Sequence, residues 1–391
     1  MRILVTGGAG FIGSHLCERL LSEGHTVTAL DNFSTGRSAN LINLLDAKKF
    51  KLIEGSILDT ETLGRLVQNT DYIFHLAAAV GVFNIVNKPL ESLLTNIRGT
   101  ENVLEAANLR KIPVFLTSSS EVYGKNTSDS LKESDDRVLG SPITLRWSYS
   151  EAKAIDESLA YAYFIEKQLQ VRIVRFFNTV GPRQLGAYGM VVPRFVQSAL
   201  TGEPITIYGD GNQTRCFAHV YDVVDAVLAI AFADNTIGKV INIGNDFEIS
   251  INDLAKTAIA LKRFRIAKGS WPKTLSELAP AYLKEVSKDP YTQTDFGFLI
   301  FEGAKTSGSE TPGTPGSDGP PEVGGGGSPA SGAPEGGSIS TGEFSDGSLL
   351  PSSGEKQYAF VPGTFILWSV GPHRTEYGGL VNDPFGQLAS R

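Results

Sequence analysis

Apolar residues along the first two thirds of the chain follow two alternating rhythms. Ile3 to Thr6 is a short apolar run, and Thr26 to Leu30, Lys51 to Glu54, Asp71 to His75, Val114 to Ser118 and Val171 to Phe176 repeat the type. Short runs of this kind, bounded by turn residues, predict strands buried on both faces of a sheet. Between them, Phe11 to Ser22, Thr95 to Leu109 and Ser150 to Gln168 space their apolar residues three and four apart. That spacing predicts helices with one core-facing side. Strands alternating with helices predict an α/β fold, a doubly wound parallel sheet covered on both faces.

The rhythm breaks after Leu261. Trp271-Pro272 to Tyr282 predicts a helix opened by proline, followed by a short apolar stretch. From Gly303 to about Lys356 the chain is Gly, Ser, Pro and Thr, with GGGGS at Gly324 to Ser328. Such a segment buries too little to offset chain entropy and predicts a disordered linker. Tyr358 to Val370 is apolar again and predicts one or two strands. The expected organisation is a first domain over residues 1–180 and a truncated small substrate region over 181–261. A small α+β module would follow over 262–302 and 357–391, interrupted by the linker at 303–356.

Composition narrows the partners. The 391 residues carry a net charge of −7, which argues against nucleic acid, because a phosphate backbone requires a basic face. Local arginines can still bind a phosphorylated ligand. Cys17 and Cys216 are too few and too far apart for a disulfide framework or a zinc site. Reduced thiols fit a cytoplasmic location, and no metal site is read. No apolar run has the ~18 residues of a membrane span, and Met1 to Thr6 is too short for a secretory signal.

Candidate chemistry begins at Thr6-Gly7-Gly8-Ala9-Gly10-Phe11-Ile12-Gly13, which follows a strand and opens a helix. Gly7 permits the tight turn, Gly10 lets backbone approach a pyrophosphate, and Gly13 lets the helix pack on the strand. The N–H groups of Phe11 and Ile12 then face the phosphates at a positive helix end. This is the dinucleotide-binding arrangement of a Rossmann-type fold. Asp31 ends the second strand 18 positions beyond Gly13, followed by Asn32. A carboxylate there accepts from ribose hydroxyls and repels a 2′-phosphate, which favours NAD over NADP; nearby Arg37 keeps NADP as the minority case. Tyr149 and Lys153 lie four apart and so share a helix face. An ammonium and a cationic nicotinamide would both lower the phenol's pKa toward that of a working base.

Together with His75-Leu76-Ala77-Ala78, Ser118-Ser119-Ser120-Glu121-Val122-Tyr123-Gly124 and Tyr149-x-x-x-Lys153, the glycine motif makes residues 1 to about 261 resemble the extended short-chain dehydrogenases. These are the NAD-dependent nucleotide-sugar epimerases, dehydratases and decarboxylases. The resemblance implies that Tyr149 takes a sugar hydroxyl proton as hydride leaves for NAD. Ser119 would hydrogen-bond the same sugar oxygen, and Lys153 would bind the nicotinamide ribose. Ala77 belongs with the cofactor wall, and Asn96 would hold site geometry, a plain helix-surface residue being an equal reading. Ser56 stands where the family has an adenine-contacting Asp, so Asp59 is the nearest candidate for that contact. Asn178 and Arg183, in Phe177-Asn178-Thr179-Val180-Gly181-Pro182-Arg183, and Arg215, in the loop from Tyr208, resemble the residues that hold the substrate diphosphate and nucleotide. Arginine suits a diphosphate through its bidentate fork, and a structural ion pair is the alternative for each.

Ser120 and Glu121 bear on the outcome of the reaction. The 4,6-dehydratases carry Asp-Glu there, so Ser-Glu argues against dehydration. Ser120 is then a substrate contact, and Glu121 a catalytic group or a salt-bridged carboxylate. The first expectation is a UDP-hexose or hexuronate 4-epimerase working through a 4-keto intermediate, as a homodimer. The alternative is a UDP-glucuronate decarboxylase, which Ser-Glu with Arg146-Trp147-x-Tyr149 resembles. The family continues past residue 261 with a closing segment that this chain lacks. In its place, Trp271 to Tyr291 and Leu367 to Pro372 resemble part of the type II secretion pseudopilins. An NAD-binding or secretion-associated interaction protein without activity is therefore the third expectation.

Overall fold

A computed structural model describes residues 1–286 apart from 129, 187–189 and 202, together with short strands at 297–299, 356–358, 366–368, 381–382 and 388–389. The first half builds β1 Arg2–Thr6, α1 Phe11–Ser22, β2 Thr26–Asp31, β3 Phe50–Glu54, α2 Thr60–Val67, β4 Tyr72–His75 and α3 Val82–Asn87. Then follow α4 Pro89–Asn108, β5 Val114–Ser119, α5 Ser148–Lys167, β6 Val171–Phe176 and β7 Thr179–Val180. The second half adds α6 Val191–Thr201, β8 Ile205–Ile207, β9 Thr214–Cys216, β10 Ala218–His219 and α7 Val220–Ala231. It closes on β11 Val240–Ile243, β12 Glu248–Ser250 and α8 Ile251–Lys268.

Seven strands form one sheet in the order β11-β6-β5-β4-β1-β2-β3, every pair parallel. Parallel pairing needs crossovers, and these helices cover both faces. Leu16, Leu20, Val223 and Val227 of α1 and α7 pack with Val27 and Phe74 on one face. Leu63, Val103 and Leu104 of α2 and α4, with Ala160 of α5, pack with Leu4, Ile73 and Val114 on the other. Each fully buried Leu or Phe contributes roughly 1.5–3 kcal/mol, so the apolar runs that predicted the strands also supply the core. The strand order reverses direction between β1 and β4. A crevice therefore opens above the carboxyl ends of these strands, and ligands bind at such a point.

The sequence expectation for the sheet holds, with differences at its margins. Helix α4 starts six residues before Thr95, because Pro89 sits in its first turn where a missing N–H costs nothing. β11, from residues assigned to the substrate region, is one of the sheet's two edge strands, and α7 covers one of its faces. The region 181–261 is thus not a separate unit, since the chain crosses back to the sheet.

A second core joins α6, β8 and α8 through Val192, Phe195, Ile205, Ile207, Leu254, Ala258 and Leu261. Trp271, Leu275 and Leu278 are buried in this same cluster. The domain boundary expected at residue 261 is therefore absent from the described residues: α8 runs through it, and the following segment completes this core. The helix expected from Trp271 to Tyr282 is only a 3-10 turn, Leu275–Leu278. Thr274 and Glu277 form a capping box that starts it there, and Pro280 has no N–H with which to extend it. Lys356–Tyr358 pairs antiparallel with β8, and Gly297–Leu299 with Ile366–Trp368. The expected linker at 303–356 and most of the module at 357–391 lie outside the described residues.

Candidate active site

A cavity of about 1020 Å³ occupies the crevice. That is at or above the usual size for one small-molecule site, with room for a large or composite ligand. Its wall gathers the carboxyl ends of the sheet: Gly7 after β1, Asp31 at the end of β2, Ala77 after β4, Ser119 at the end of β5 and Asn178 after β6. Tyr208 and Arg215 close it from the α6–α8 side.

The glycine turn is built as its spacing requires. Gly7 has φ +72°, a left-handed conformation, and a Cβ there would meet Ala77 N at 2.7 Å. A Cβ on Gly13 would stand 2.1 Å from Gly7 O, so only glycine lets α1 sit this close to the turn. Gly10 caps α1 without a side-chain hydrogen bond, and no acidic residue lies in the first turn. Gly10, Phe11, Ile12 and Gly13 all line the cavity. An uncapped, acid-free helix N-terminus opening into a large cavity fits a dinucleotide diphosphate. Asp31 lines the same wall and is buried; its carboxylate accepts from Ala9 N at 2.9 Å and Phe33 N at 2.8 Å. Burial raises its pKa, and the N–H groups of Phe33, Ala9 and Gly10 pull it back. Asn32 lies beside it, exposed on the cavity rim.

At the end of β5 and the start of α5, Ser119, Ser120, Glu121, Tyr149 and Lys153 line one cavity wall. Ser119 ends β5 and caps the short turn Ser120–Tyr123, accepting from Glu121 N at 3.2 Å. Tyr149 enters in the first turn of α5 and shares the wall with Ser119. Burial pushes the Tyr149 pKa up, Lys153 pulls it down, and Asp156 and Glu121 add to the rise. The net direction is upward, so the lowering expected from the Tyr-Lys spacing is not delivered by Lys153 alone. Lys153 is buried and donates to Thr117 O at 3.1 Å and Asp156 Oδ2 at 3.2 Å. Burial opposes its charge, but Asp156, then Tyr149 and Glu157, more than offset this, and its pKa is raised. Glu121 is half exposed, with Arg146 Nη2 at 3.9 Å, and the Arg146 guanidinium stacks 5.0 Å from the Trp147 ring centroid.

Some predicted residues stand elsewhere. Asp59 does not line the cavity: it caps α2, accepting from Glu61 N and Thr62 N at 3.1 Å each and from the Thr62 hydroxyl at 2.7 Å. Arg183 is held in an ion pair with Glu18 on α1, 2.5 Å away, and is likewise outside the cavity wall. Asn96 is buried, and its amide accepts from Ala79 N and donates to Ala79 O, fixing the loop that carries Ala77 without lining the cavity itself. Asn178 and Arg215 do line it, with Asn178 donating to Cys216 O at 3.1 Å.

The sequence reading quoted Arg146 only as part of a motif with Tyr149 and missed Arg194; both are wall residues. Arg194 donates to the Tyr208 hydroxyl at 3.1 Å and lies 4.7 Å from its ring centroid. Its signal was the amphipathic run from Val191, which places an arginine beside an apolar helix face. Also missed was Glu157, which accepts from Ser118 Oγ at 2.5 Å and pairs with Arg175 Nη2 at 2.7 Å. These buried bonds tie the end of β5 to α5 and β6, and so fix the distance between Ser119 and Tyr149.

Residues 3–244 match the model of the NAD dependent epimerase/dehydratase family. A curated relative, UDP-N-acetyl-alpha-D-glucosaminuronate decarboxylase of Bacillus cytotoxicus, is 45% identical over 256 residues, 65% of this chain and 78% of the relative. UDP-glucuronic acid decarboxylase 1 of Xenopus tropicalis is 38% identical over 257 residues, again 65% of this chain but only 59% of the relative's length. Among solved structures, UDP-glucuronic acid 4-epimerase from Bacillus cereus, in complex with UDP-glucuronic acid and NAD, superimposes with a TM-score of 0.60. It is 33% identical, and the match covers 69% of this chain and 84% of that one.

Proposed function

The chain belongs to the NAD dependent epimerase/dehydratase family, and from that premise we propose that it removes carbon dioxide from a UDP-linked hexuronate. The cofactor is NAD. When bound, it accepts two electrons from sugar C4 and later returns them. The turn at Gly7, Gly10 and Gly13, the helix end at Phe11 and Ile12, Asp31 and Lys153 are the residues that would hold it.

The observation that carries this reading is Arg146 beside Glu121 on the wall that holds Ser119 and Tyr149. Arg194 and Arg215, from α6 and β9, give the cavity cations suited to a diphosphate. Arg146 is an additional cation next to the reacting groups, where a neutral hexose offers it no anion. A hexuronate offers its C5 carboxylate. Tyr149 takes the proton of the C4 hydroxyl, and Ser119 donates to that oxygen. Once C4 is a ketone, the carboxylate is β to it. The bond from C5 to the carboxyl carbon then breaks, and its electron pair moves into the enolate. Arg146 loses its anionic partner as carbon dioxide leaves, and Glu121, on the same wall, is assigned the return of the proton that C5 must regain. Tyr149 returns its own proton to O4 at the close of the cycle. The two decarboxylase relatives favour this outcome over the epimerisation first expected.

A second reading, hexuronate 4-epimerisation, is favoured by the structural likeness to the Bacillus cereus enzyme. Incubating the purified chain and NAD with UDP-glucuronate and UDP-N-acetylglucosaminuronate separates them. Decarboxylation gives a product lighter by carbon dioxide in mass spectrometry, whereas epimerisation gives an isomer of unchanged mass and altered retention. No product from either substrate removes both readings. The working form is proposed as a homodimer, because Leu90 of α4 and Ile155, Tyr161 and Ile165 of α5 expose apolar side chains on two helices packed together. A monomeric mass in light scattering would contradict that.

A further inference from the structure

Behind the cavity wall runs a row of buried polar groups that the proposed reaction leaves unused. Thr6 Oγ1, on β1, accepts from the Ala77 backbone N–H at 3.3 Å and lies 2.7 Å from His75 Nδ1. His75 Nε2, on β4, is 3.1 Å from Thr100 Oγ1 of α4. Thr100 lies near the Asp156 carboxylate of α5 without a hydrogen bond to it, and Asp156 Oδ1 is buried with no hydrogen-bond partner. Asp156 Oδ2 accepts from Lys153 Nζ at 3.2 Å. All five side chains are sealed from solvent, none more than 2% exposed.

One direction of donation satisfies Thr6 and His75, while Asp156 Oδ1 stays without a hydrogen-bond partner. Burial, reinforced by the nearby Lys153 charge, lowers the His75 pKa to about 3, so its ring is neutral and has one donor and one acceptor nitrogen. Thr6 donates to Nδ1, and Nε2–H donates to Thr100. A carboxylate only accepts, and Lys153 is the donor to Asp156.

We propose that Asp156 is a positioning residue for this enzyme: buried in direct contact with Lys153, it keeps that side chain a fixed ammonium next to Tyr149. This rests on the reading of Tyr149 as the proton acceptor of the reaction. A lysine buried without a counter-charge loses its proton. The charged and titratable groups facing Lys153 are Tyr149, Asp156 and Glu157 from α5 and His75 from β4. His75 is neutral, and Glu157 is already engaged by Arg175 and Ser118. Asp156 is the carboxylate in direct contact.

The test follows Lys153 in the full-length protein by NMR with 13Cε-labelled lysine, its signal assigned by its loss in Lys153→Met. In the wild type, the Lys153 midpoint is expected to lie above the ordinary lysine value. In Asp156→Asn its midpoint is expected to fall by about 1–3 pH units, and the alkaline limb of the turnover profile to fall with it while KM stays the same. A wild-type midpoint below the ordinary lysine value overturns the proposal whether or not the variant folds. So does a wild-type midpoint in folded Asp156→Asn. Absence of turnover in the wild type would defeat the reading of the reaction, while the lysine titration would still decide the role of Asp156.

Discussion

Tyr149 shows how far a side chain's role departs from its position in a motif. The Tyr149–Lys153 spacing predicts a shared helix face, and α5 provides it. The spacing says nothing about burial, which raises the phenol's pKa more than Lys153 lowers it. Tyr149→Phe removes the proposed proton acceptor and leaves the glycine turn untouched. Turnover is expected to fall by about 10²–10⁴-fold, with NAD still retained in the purified protein. Product assays beside cofactor extraction check this, and a variant with wild-type turnover would remove Tyr149 from the mechanism. Asp59 and Arg183 teach the converse lesson. Their residue types suit ligand contacts, but Asp59 is used by the backbone N–H groups that open α2, and Arg183 by Glu18, 165 residues away in sequence. Helix capping can be read in a sequence, since Asp59 stands just before Thr60-Glu61; a distant ion pair cannot.

Helix α1 and its turn carry the most legible part of the site. Three glycines, a preceding apolar strand and a following amphipathic stretch are all local features, and the structure builds each where the spacing puts it. The close contact of Gly13 with Gly7 O gives a direct consequence. Gly13→Ala pushes a methyl group against backbone that cannot turn aside, at a cost of about 1–3 kcal/mol or more. The urea midpoint is expected to fall and NAD affinity to weaken at least ~10-fold, since the helix end moves away from its place in the wall. Calorimetric NAD titration reads this, and unchanged affinity with unchanged stability would show that the contact is not close in solution. The turn at Leu275–Leu278 is the opposite case. Its apolar spacing suggested a full helix, but its ends are set by Thr274, by Pro280 and by the α8 surface against which Leu275 and Leu278 pack.

Two buried histidines couple the whole molecule to pH. Burial, together with Arg183, holds His15 at a pKa of about 3, the Pro182 carbonyl opposing; burial and Lys153 hold His75 at about 3. In the unfolded chain both titrate near about 6.5. The folded values are depressed, so their contribution to stability is complete above about pH 6.5 and is lost as pH falls toward about 3. The protein is therefore expected to lose on the order of a few kcal/mol across that window. His15→Gln keeps a donor toward Pro182 O and is expected to flatten the loss. Urea midpoints of both proteins between about pH 7 and 4 test this, and parallel curves would count against it. No helix among the described residues is long and apolar enough to cross a membrane.

The alternation of strands and helices, the glycine turn, Asp31 and the Ser119, Tyr149 and Lys153 set were legible in the chain because each depends on neighbours a few residues apart. Periodicity decides which face of an element is apolar, and the turn residues decide where it stops. Tertiary structure alone decided that Arg194 shares a wall with Tyr149, that β11 returns to the sheet, and that α8 carries the second core past residue 261. It also decided that Asp156 lies between Thr100 and Lys153. The physical reason is common to all four. Burial, charge pairing and hydrogen-bond direction depend on what stands opposite a side chain, and here that is set by elements distant in sequence.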